Sequence, residues 1–346
     1  MKVKHLFFCF LYGMFLLAFS ACNLGGDDPI VPANDYSKGI FVVNEGPFNG
    51  GGTITWHNPV TDETVQDVFG VVNGGSLGEF VQSLTFHNGK GYICVNGINL
   101  IVVVDQKTFG FLDTIGGVVL PRYFLPVSNT VAYVSQWGKD GLNGSLARID
   151  LTTNKVVKVI PVGTGPEKMI LADANTLMVA NGGGFGTDST VSIINLATET
   201  ETDRITVGGK NPSSLVKAAL TGTNPYVLCK GSFTDSLSQG FLDKFNPAGS
   251  GFVVSKYSDD LCANPSGNTL YFTGGGKIWS ANQFAVTALF TQSAYGLACH
   301  PTTGDLYCGD AKDFTSPGEV VIYNSAGAKT GSFPAGIGPG EIIIVE

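Results

Sequence analysis

The stretch from 166 to 207 contains one complete structural unit. It reads Pro166-Glu167-Lys168-Met169-Ile170-Leu171, a turn at Asp173-Ala174-Asn175, then Thr176-Leu177-Met178-Val179-Ala180-Asn181. After a variable loop come Val191-Ser192-Ile193-Ile194-Asn195, a turn at Ala197-Thr198, and Glu201-Thr202-Asp203-Arg204-Ile205-Thr206-Val207. Apolar, β-branched runs bounded by Asn, Asp and Gly turns are strands, so the unit has four. The next unit opens in the same way at Pro212-Ser213-Ser214-Leu215-Val216.

The apolar residue of each first strand recurs at Leu84, Phe124, Met169, Leu215, Leu261, Leu297 and Ile342, with spacings between 36 and 46 residues. That is the period of four-stranded propeller blades. Seven positions predict an all-β, seven-bladed β-propeller. The chain starts its repeats at Gly39-Ile40-Phe41-Val42-Val43-Asn44, which has the pattern of a second strand. It ends at Gly340-Glu341-Ile342-Ile343-Ile344-Val345, which has that of a first. The C-terminal strand is therefore expected to complete the N-terminal blade and close the ring, covering edges that an open sheet would expose.

Composition agrees. The 346 residues include 47 glycines and 16 prolines, with 14% charged and 43% hydrophobic side chains and a net charge of −8. So few charges with so much apolar content exclude a disordered chain. The acidic balance argues against nucleic acid as a partner, which calls for clustered Lys and Arg.

Lys2 and Lys4 precede an apolar run from Leu6 to Ala21, which ends Phe19-Ser20-Ala21-Cys22. A basic start, a short apolar stretch and small residues before a cut describe a secretory signal, residues 1–21. The placement of Cys22 resembles a bacterial lipobox, with Phe19 where Leu is usual, and implies lipidation at Cys22. The alternative is an ordinary secretory signal with an incidental cysteine. Residues 22–38 form a polar tether, and its Asp27-Asp28 resembles the surface-export signal of Bacteroidetes lipoproteins. The expectation is an outer-membrane, lipid-anchored protein facing the cell exterior, with residues 39–346 as a single propeller domain. Cys94, Cys229, Cys262, Cys299 and Cys308 remain, an odd number within apolar patterns. They read as core, with Cys299 and Cys308 the one pair considered for a disulfide.

Within each blade the chain alternates direction, so connections sort onto two faces. One collects short turns such as His87-Asn88-Gly89-Lys90 and Asn246-Pro247-Ala248-Gly249. The other collects longer loops carrying Phe48, Trp137, Phe185, Phe233 and Phe314, and blade crossings carrying Arg122, Tyr123, Glu167, Lys210 and Tyr295. Functional groups concentrate on loops held by a rigid scaffold. The five rings are expected to surround a depression, with Asn44, Glu45, Arg122, Glu167, Asn181 and Lys210 supplying hydrogen bonds. The alternative for each ring is that it packs back on its own loop.

Catalytic patterns are sparse. His57, His87 and His300 fall on an outer strand and on short-loop turns, and read as turn or surface residues. That weakens a lyase-like enzyme or a zinc site. Glu45, Glu167 and Glu341 have no spacing that marks a glycosidase pair. Asp310 and Asp313 lack the full calcium-loop pattern. Gly182-Gly183-Gly184 lacks the Lys-Ser/Thr of a phosphate loop and reads as a flexible connection.

The unit pattern, Val43-Asn44-Glu45-Gly46, Gln82-Ser83-Leu84, Pro121-Arg122-Tyr123 and Val162-Gly163-Thr164-Gly165-Pro166-Glu167 resemble the YncE-like surface propeller lipoproteins of Bacteroidetes. Within that group the chain is similar to the cobalamin-capturing propellers of vitamin B12 uptake systems. The resemblance implies a non-enzymatic binding protein that needs no cofactor or metal. Cobalamin would be its ligand and an outer-membrane TonB-dependent transporter its partner. The alternatives are a protein- or glycan-interaction propeller and a lyase-like enzyme on the same fold.

Overall fold

A computed structural model of the chain describes residues 34–220, 225–232, 240–244, 252–253, 260–282 and 285–346. They form seven four-stranded antiparallel sheets, each running in chain order from its first strand to its fourth, save that the C-terminal strand supplies the first strand of blade 1. In blade order, the first strands are Pro339–Val345, Val81–His87, Pro121–Pro126, Pro166–Leu171, Pro212–Lys217, Leu261–Ala263 and Gly296–Cys299. Each touches the first strand of the next blade, and the seventh touches the first, so the ring is closed around an axis.

The hydrophobic pattern follows from that arrangement. A blade is covered on both faces, so its middle strands are apolar throughout instead of alternating. In Lys90–Val95, Ile93 and Val95 pack into the cluster shared with blade 1, while Tyr92 and Cys94 pack into the cluster shared with blade 3. Successive side chains on a strand point to opposite faces, so each strand feeds two cores. Seven such clusters, one per blade boundary, replace a single core. The fourth strands, at the outer edge, revert to mixed exposure, as in Lys155–Pro161.

Blade 1 is joined from the two ends of the chain as expected. Gly39–Asn44 pairs with Pro339–Val345, with Ile40 opposite Ile344, Phe41 opposite Ile343 and Val42 opposite Ile342. The compact unit begins at Asp35, so its first residues belong to the propeller and not to the expected 22–38 tether. Tyr36 is buried edge-on against Trp56, with centroids 4.9 Å apart, and its N–H donates to the Lys107 carbonyl.

Two readings need correction. His57 is no surface residue: its ring is buried, stacked 4.1 Å from Phe333, with Nδ1 2.9 Å from Thr64 Oγ1. Burial lowers its pKa, so it is a neutral core group. The Gly182–Gly184 run is a packed corner and not a flexible connection. Gly165 adopts φ +56°, and a Cβ there would collide with the Gly184 backbone. The five cysteines Cys94, Cys229, Cys262, Cys299 and Cys308 are all free thiols, three of them buried. Cys299 pairs across the sheet with Leu306, and Cys308 with Leu297, so the two cysteines are not opposite each other.

Ring closure sets the first test. Deleting residues 339–346 removes the inner strand of blade 1 and the buried Ile342 of the last boundary. A loss of about 5 kcal/mol or more is expected from the emptied boundary, lowering the melting temperature by roughly 10 °C or more. A calorimetric scan of the truncated chain beside the intact one reads this; an unchanged transition would contradict closure by that strand.

Candidate functional site

The inner strands of blades 1 to 5 share an irregularity that shapes the site. Pairing with the second strand skips Gln82 in blade 2, Arg122 and Tyr123 in blade 3, and Glu167 and Lys168 in blade 4. It likewise skips Ser213 in blade 5 and Gly340 in blade 1. A bulge leaves its extra residues outside the ladder and re-aims their side chains. Here the skipped residues turn toward the axis, and they form two tiers.

The upper tier is the floor of a basin. Gln82 and Glu167 are buried there, and Arg122 donates from Nε and one amino nitrogen to the two Glu167 oxygens, at 3.1 Å each. Its other amino nitrogen donates to Gln82 Oε1. Burial works against the Arg122 charge, but Glu167 outweighs it, so the guanidinium is held ionised above its ordinary range. Trp137 lies over Arg122, 4.3 Å from the guanidinium carbon to the ring centroid, a cation–π contact. Tyr295 closes the far side by donating its hydroxyl to Glu45 Oε2 at 2.7 Å.

The lower tier is a polar plug. Lys168 Nζ lies 2.5 Å from Asp260 Oδ1, joining blades 4 and 6. Asp260 also accepts from Ser214 Oγ at 3.2 Å, Leu261 N at 2.9 Å and Leu297 N at 3.2 Å. Burial pulls the Lys168 pKa down, yet Asp260, helped by Tyr123 and Glu341, raises it overall, so the ammonium stays charged. Tyr123 belongs to this tier, its pKa raised by burial. Glu341 accepts from Leu84 N at 2.9 Å, across the boundary between blades 1 and 2. The space left between the tiers is about 30 Å³, room for roughly one or two waters.

Above the floor opens a basin of about 780 Å³ on the long-loop face. Its walls carry aromatic rings in two pairs. Phe48 and Phe80 meet edge to face at 6.0 Å, and Trp137 and Phe185 do so at 5.4 Å. Phe48 and Phe185 remain 81% and 71% exposed, so neither is folded away beneath its loop. Gly141 allows the second pair: it has φ +68°, and a Cβ there would strike the Phe185 ring. The opposite sector, from blade 5, is polar, with Asn211, Ser213, Lys230 and Ser232.

Of the residues singled out from sequence, Glu45, Phe48, Arg122, Trp137, Glu167 and Phe185 line this basin. Tyr123 lies below it. Phe314 packs edge-on against Tyr295 at 5.0 Å and stands outside the lining. Lys210 is exposed at its crossing and does not reach in. Phe233 and Cys22 lie outside the described residues.

Asn44 and Asn181 are fully buried and do not line the basin. Asn44 Nδ2 donates to Thr53 and Thr55 hydroxyls, and its Oδ1 accepts from Gly336 N. Asn181 repeats the pattern on Thr190 and Ser192, and Gln136 on Ser145. In blades 1, 3 and 4 these amides latch the end of the second strand to the start of the third, and are structural. Sequence reading missed the roles of Lys168 and Asp260. The signal was present in blades 3 and 4, where the residue directly before the inner-strand anchor, Tyr123 or Lys168, belongs to the lower tier and the one two before it, Arg122 or Glu167, to the upper.

The Asp310–Phe314 loop consumes its own acids. Asp310 accepts from Lys312 N, and Asp313 from Thr315 N and Ser316 N. Among the described residues no cluster of three His, Cys, Asp or Glu side chains could hold a metal. None of His57, His87 and His300 lines the basin. The reverse face is not turns alone: a hollow of about 660 Å³ lies there between Asp35–Ile40, Asn58–Thr61 and the C-terminal residues.

Residues 38–331 match the family model described as Domain of unknown function (DUF5074). No curated protein matches. Similar solved structures include a quinonprotein alcohol dehydrogenase-like protein from Bacteroides thetaiotaomicron, 15% identical, covering 90% of this chain and 79% of that one, at TM-score 0.66. A functionally unknown protein from Desulfotomaculum acetoxidans is 12% identical, with coverages of 89% and 99%, at TM-score 0.67. Hydrazine synthase of Kuenenia stuttgartiensis is 15% identical, with coverages of 73% and 85%, at TM-score 0.61. At these identities the likeness concerns the fold.

The lower tier makes a pH prediction. Burial raises the Glu341 carboxyl from 4.5 to about 7, with Asp260 adding to it and Lys168 and the Leu84 N–H opposing. Below pH 4.5 the group is protonated folded and unfolded, so its contribution to stability is complete. As pH rises toward 7 the unfolded chain releases the proton first, and stability falls by about 3 kcal/mol. Glu341→Gln should remove that fall, so the variant gains on the parent between pH 5 and 7.5 in urea unfolding. Parallel pH profiles would contradict it.

Proposed function

The chain belongs to the DUF5074 family, and from that premise we propose that it is a non-enzymatic binding protein. It holds an amphipathic small molecule with a broad apolar face in the long-loop basin. The observation that carries this reading is the pair of exposed rings, Phe48 and Phe185, standing over a floor of ion-paired polar groups. Exposed aromatic clusters are unfavourable in water and mark binding surfaces. The basin volume falls in the range of small-molecule sites.

Binding is favoured over catalysis by the state of the floor. Arg122, Glu167 and Gln82 are bonded to one another, and Glu45 is bonded to Tyr295. A general acid or base needs a group free to exchange a proton with substrate.

Cobalamin is the ligand to test first, on the resemblance carried by Val43-Asn44-Glu45-Gly46 and Pro121-Arg122-Tyr123. Its disc would rest on the two aromatic pairs, with its amide arms toward the floor. The same resemblance, with the Cys22 lipobox, supports a location on the outer membrane, from which the ligand would pass to a TonB-dependent transporter.

Calorimetric titration of residues 34–346 with cyanocobalamin should show micromolar binding. Trp137→Ala with Phe185→Ala should weaken it about tenfold or more, since aromatic anchors carry most of such energy. Absence of heat at up to about 100 μM, roughly 5.5 kcal/mol of affinity, removes cobalamin as the ligand. For the anchor, Cys22→Ser should move the full chain from the membrane fraction to the soluble one; retention in membranes would refute lipidation there.

A further inference from the structure

We propose that the basin's ligand carries an acidic group, carboxylate or phosphate ester, that docks on Lys230. The inference rests on the small-molecule reading of the basin and specifies the chemistry of that molecule. Among the described residues, four charged side chains line the basin: Glu45, Arg122, Glu167 and Lys230. Arg122 and Glu167 are paired with each other, and Glu45 accepts from Tyr295. Among the described residues Lys230 has no ion-pair partner.

Its position is fixed by its backbone. Lys230 N donates to Asn211 O at 2.9 Å and Gly231 N to Lys210 O at 3.0 Å, while Asn211 Nδ2 donates to Gly231 O at 2.8 Å. The loop base is thus clamped to the crossing between blades 4 and 5. Lys230 and the buried Ser213 border both the basin and the throat beneath it, which puts the residue at the edge of the floor.

The charges also fix direction. Glu45 and Glu167 both act on Arg122, so the floor beneath blades 1 to 4 carries two negative charges against one positive. That side repels an acid, and the Lys230 side attracts it. The rings Phe48, Phe80, Trp137 and Phe185 line the basin on the blade 1 to 4 side. An acidic amphiphile therefore has one favoured orientation, its apolar body on the rings and its anion toward blade 5. A uniformly neutral molecule would leave a desolvated ammonium without a partner, which is costly.

The test uses two fluorescent probes with one aromatic skeleton: 8-anilinonaphthalene-1-sulfonate, which is anionic, and N-phenyl-1-naphthylamine, which is neutral. Residues 34–346 should bind the anionic probe more tightly, with an advantage that shrinks as salt is added. Lys230→Gln should weaken the anionic probe about tenfold, the scale of a charge-assisted bond, and leave the neutral probe within about twofold. Lys230→Arg should restore the anionic probe. If Lys230→Gln shifts both probes alike, or neither, while Trp137→Ala with Phe185→Ala weakens both, the acid subsite is refuted and the basin stands. If neither probe responds to the aromatic variants, the basin reading fails and the subsite with it.

Discussion

A ring of seven wedges has to fill its own axis, and the Asp260 carboxylate is where this ring does so. It takes a salt bridge from Lys168 and hydrogen bonds from Ser214, Leu261 and Leu297, which together tie blades 4, 5, 6 and 7. Glu341 adds the tie between blades 1 and 2. Nearly dry charge of this kind costs free energy unless each partner is satisfied. Here the Asp260 carboxylate accepts from all four donors, and the return is geometric: blade boundaries held by non-directional apolar packing gain fixed positions at the centre. Removing one partner alone would leave a buried charge, so the plug acts as a unit.

The floor above inherits that rigidity. Because the bulges project consecutive residues inward, Tyr123 and Lys168 enter the plug while their neighbours Arg122 and Glu167 enter the floor. One backbone irregularity thus supplies both the plug and the basin floor. Arg122 then links floor to wall, paired with Glu167 below and covered by Trp137 above. The Trp137 ring lies over that paired guanidinium, and Phe185 meets Trp137 edge to face. A ligand meeting this wall pays little for ordering it, which is how preorganisation turns modest contact area into affinity.

How much of this was legible in sequence depends on whether the signal was periodic. The anchors Leu84 through Ile342 recur because every blade needs an apolar residue at the same depth, and that fixed the fold, the blade number and the closure by Pro339–Val345. The face bearing the basin followed from loop lengths. The terminal amides Asn44 and Asn181 were also periodic, but their repetition served the blade and not the ligand. Their partners, Thr53 and Thr55 or Thr190 and Ser192, recur at matching offsets, nine and eleven residues on, and would have revealed the latch. Lys168 and Asp260 were harder. Their pairing spans 92 residues and depends on a bulge that no composition announces. His57 misled for a related reason, since an outer-strand position becomes interior when Phe333 of the neighbouring blade covers it.

The two ends of the chain bear on how such a basin would be used. Gly39 pairs with Val345 at the end of blade 1 opposite Asn44, so both termini of the ring emerge on the reverse face. Asp35 and Glu346 border the hollow on that face, together with the turn Asn58–Thr61. The basin opens at the other end of the axis, on the face to which Asn44 leads, so a guest can enter without meeting either end of the ring. Between the two faces lies the plug of Lys168 and Asp260, which separates the basin from the reverse hollow and holds the blades at their common centre.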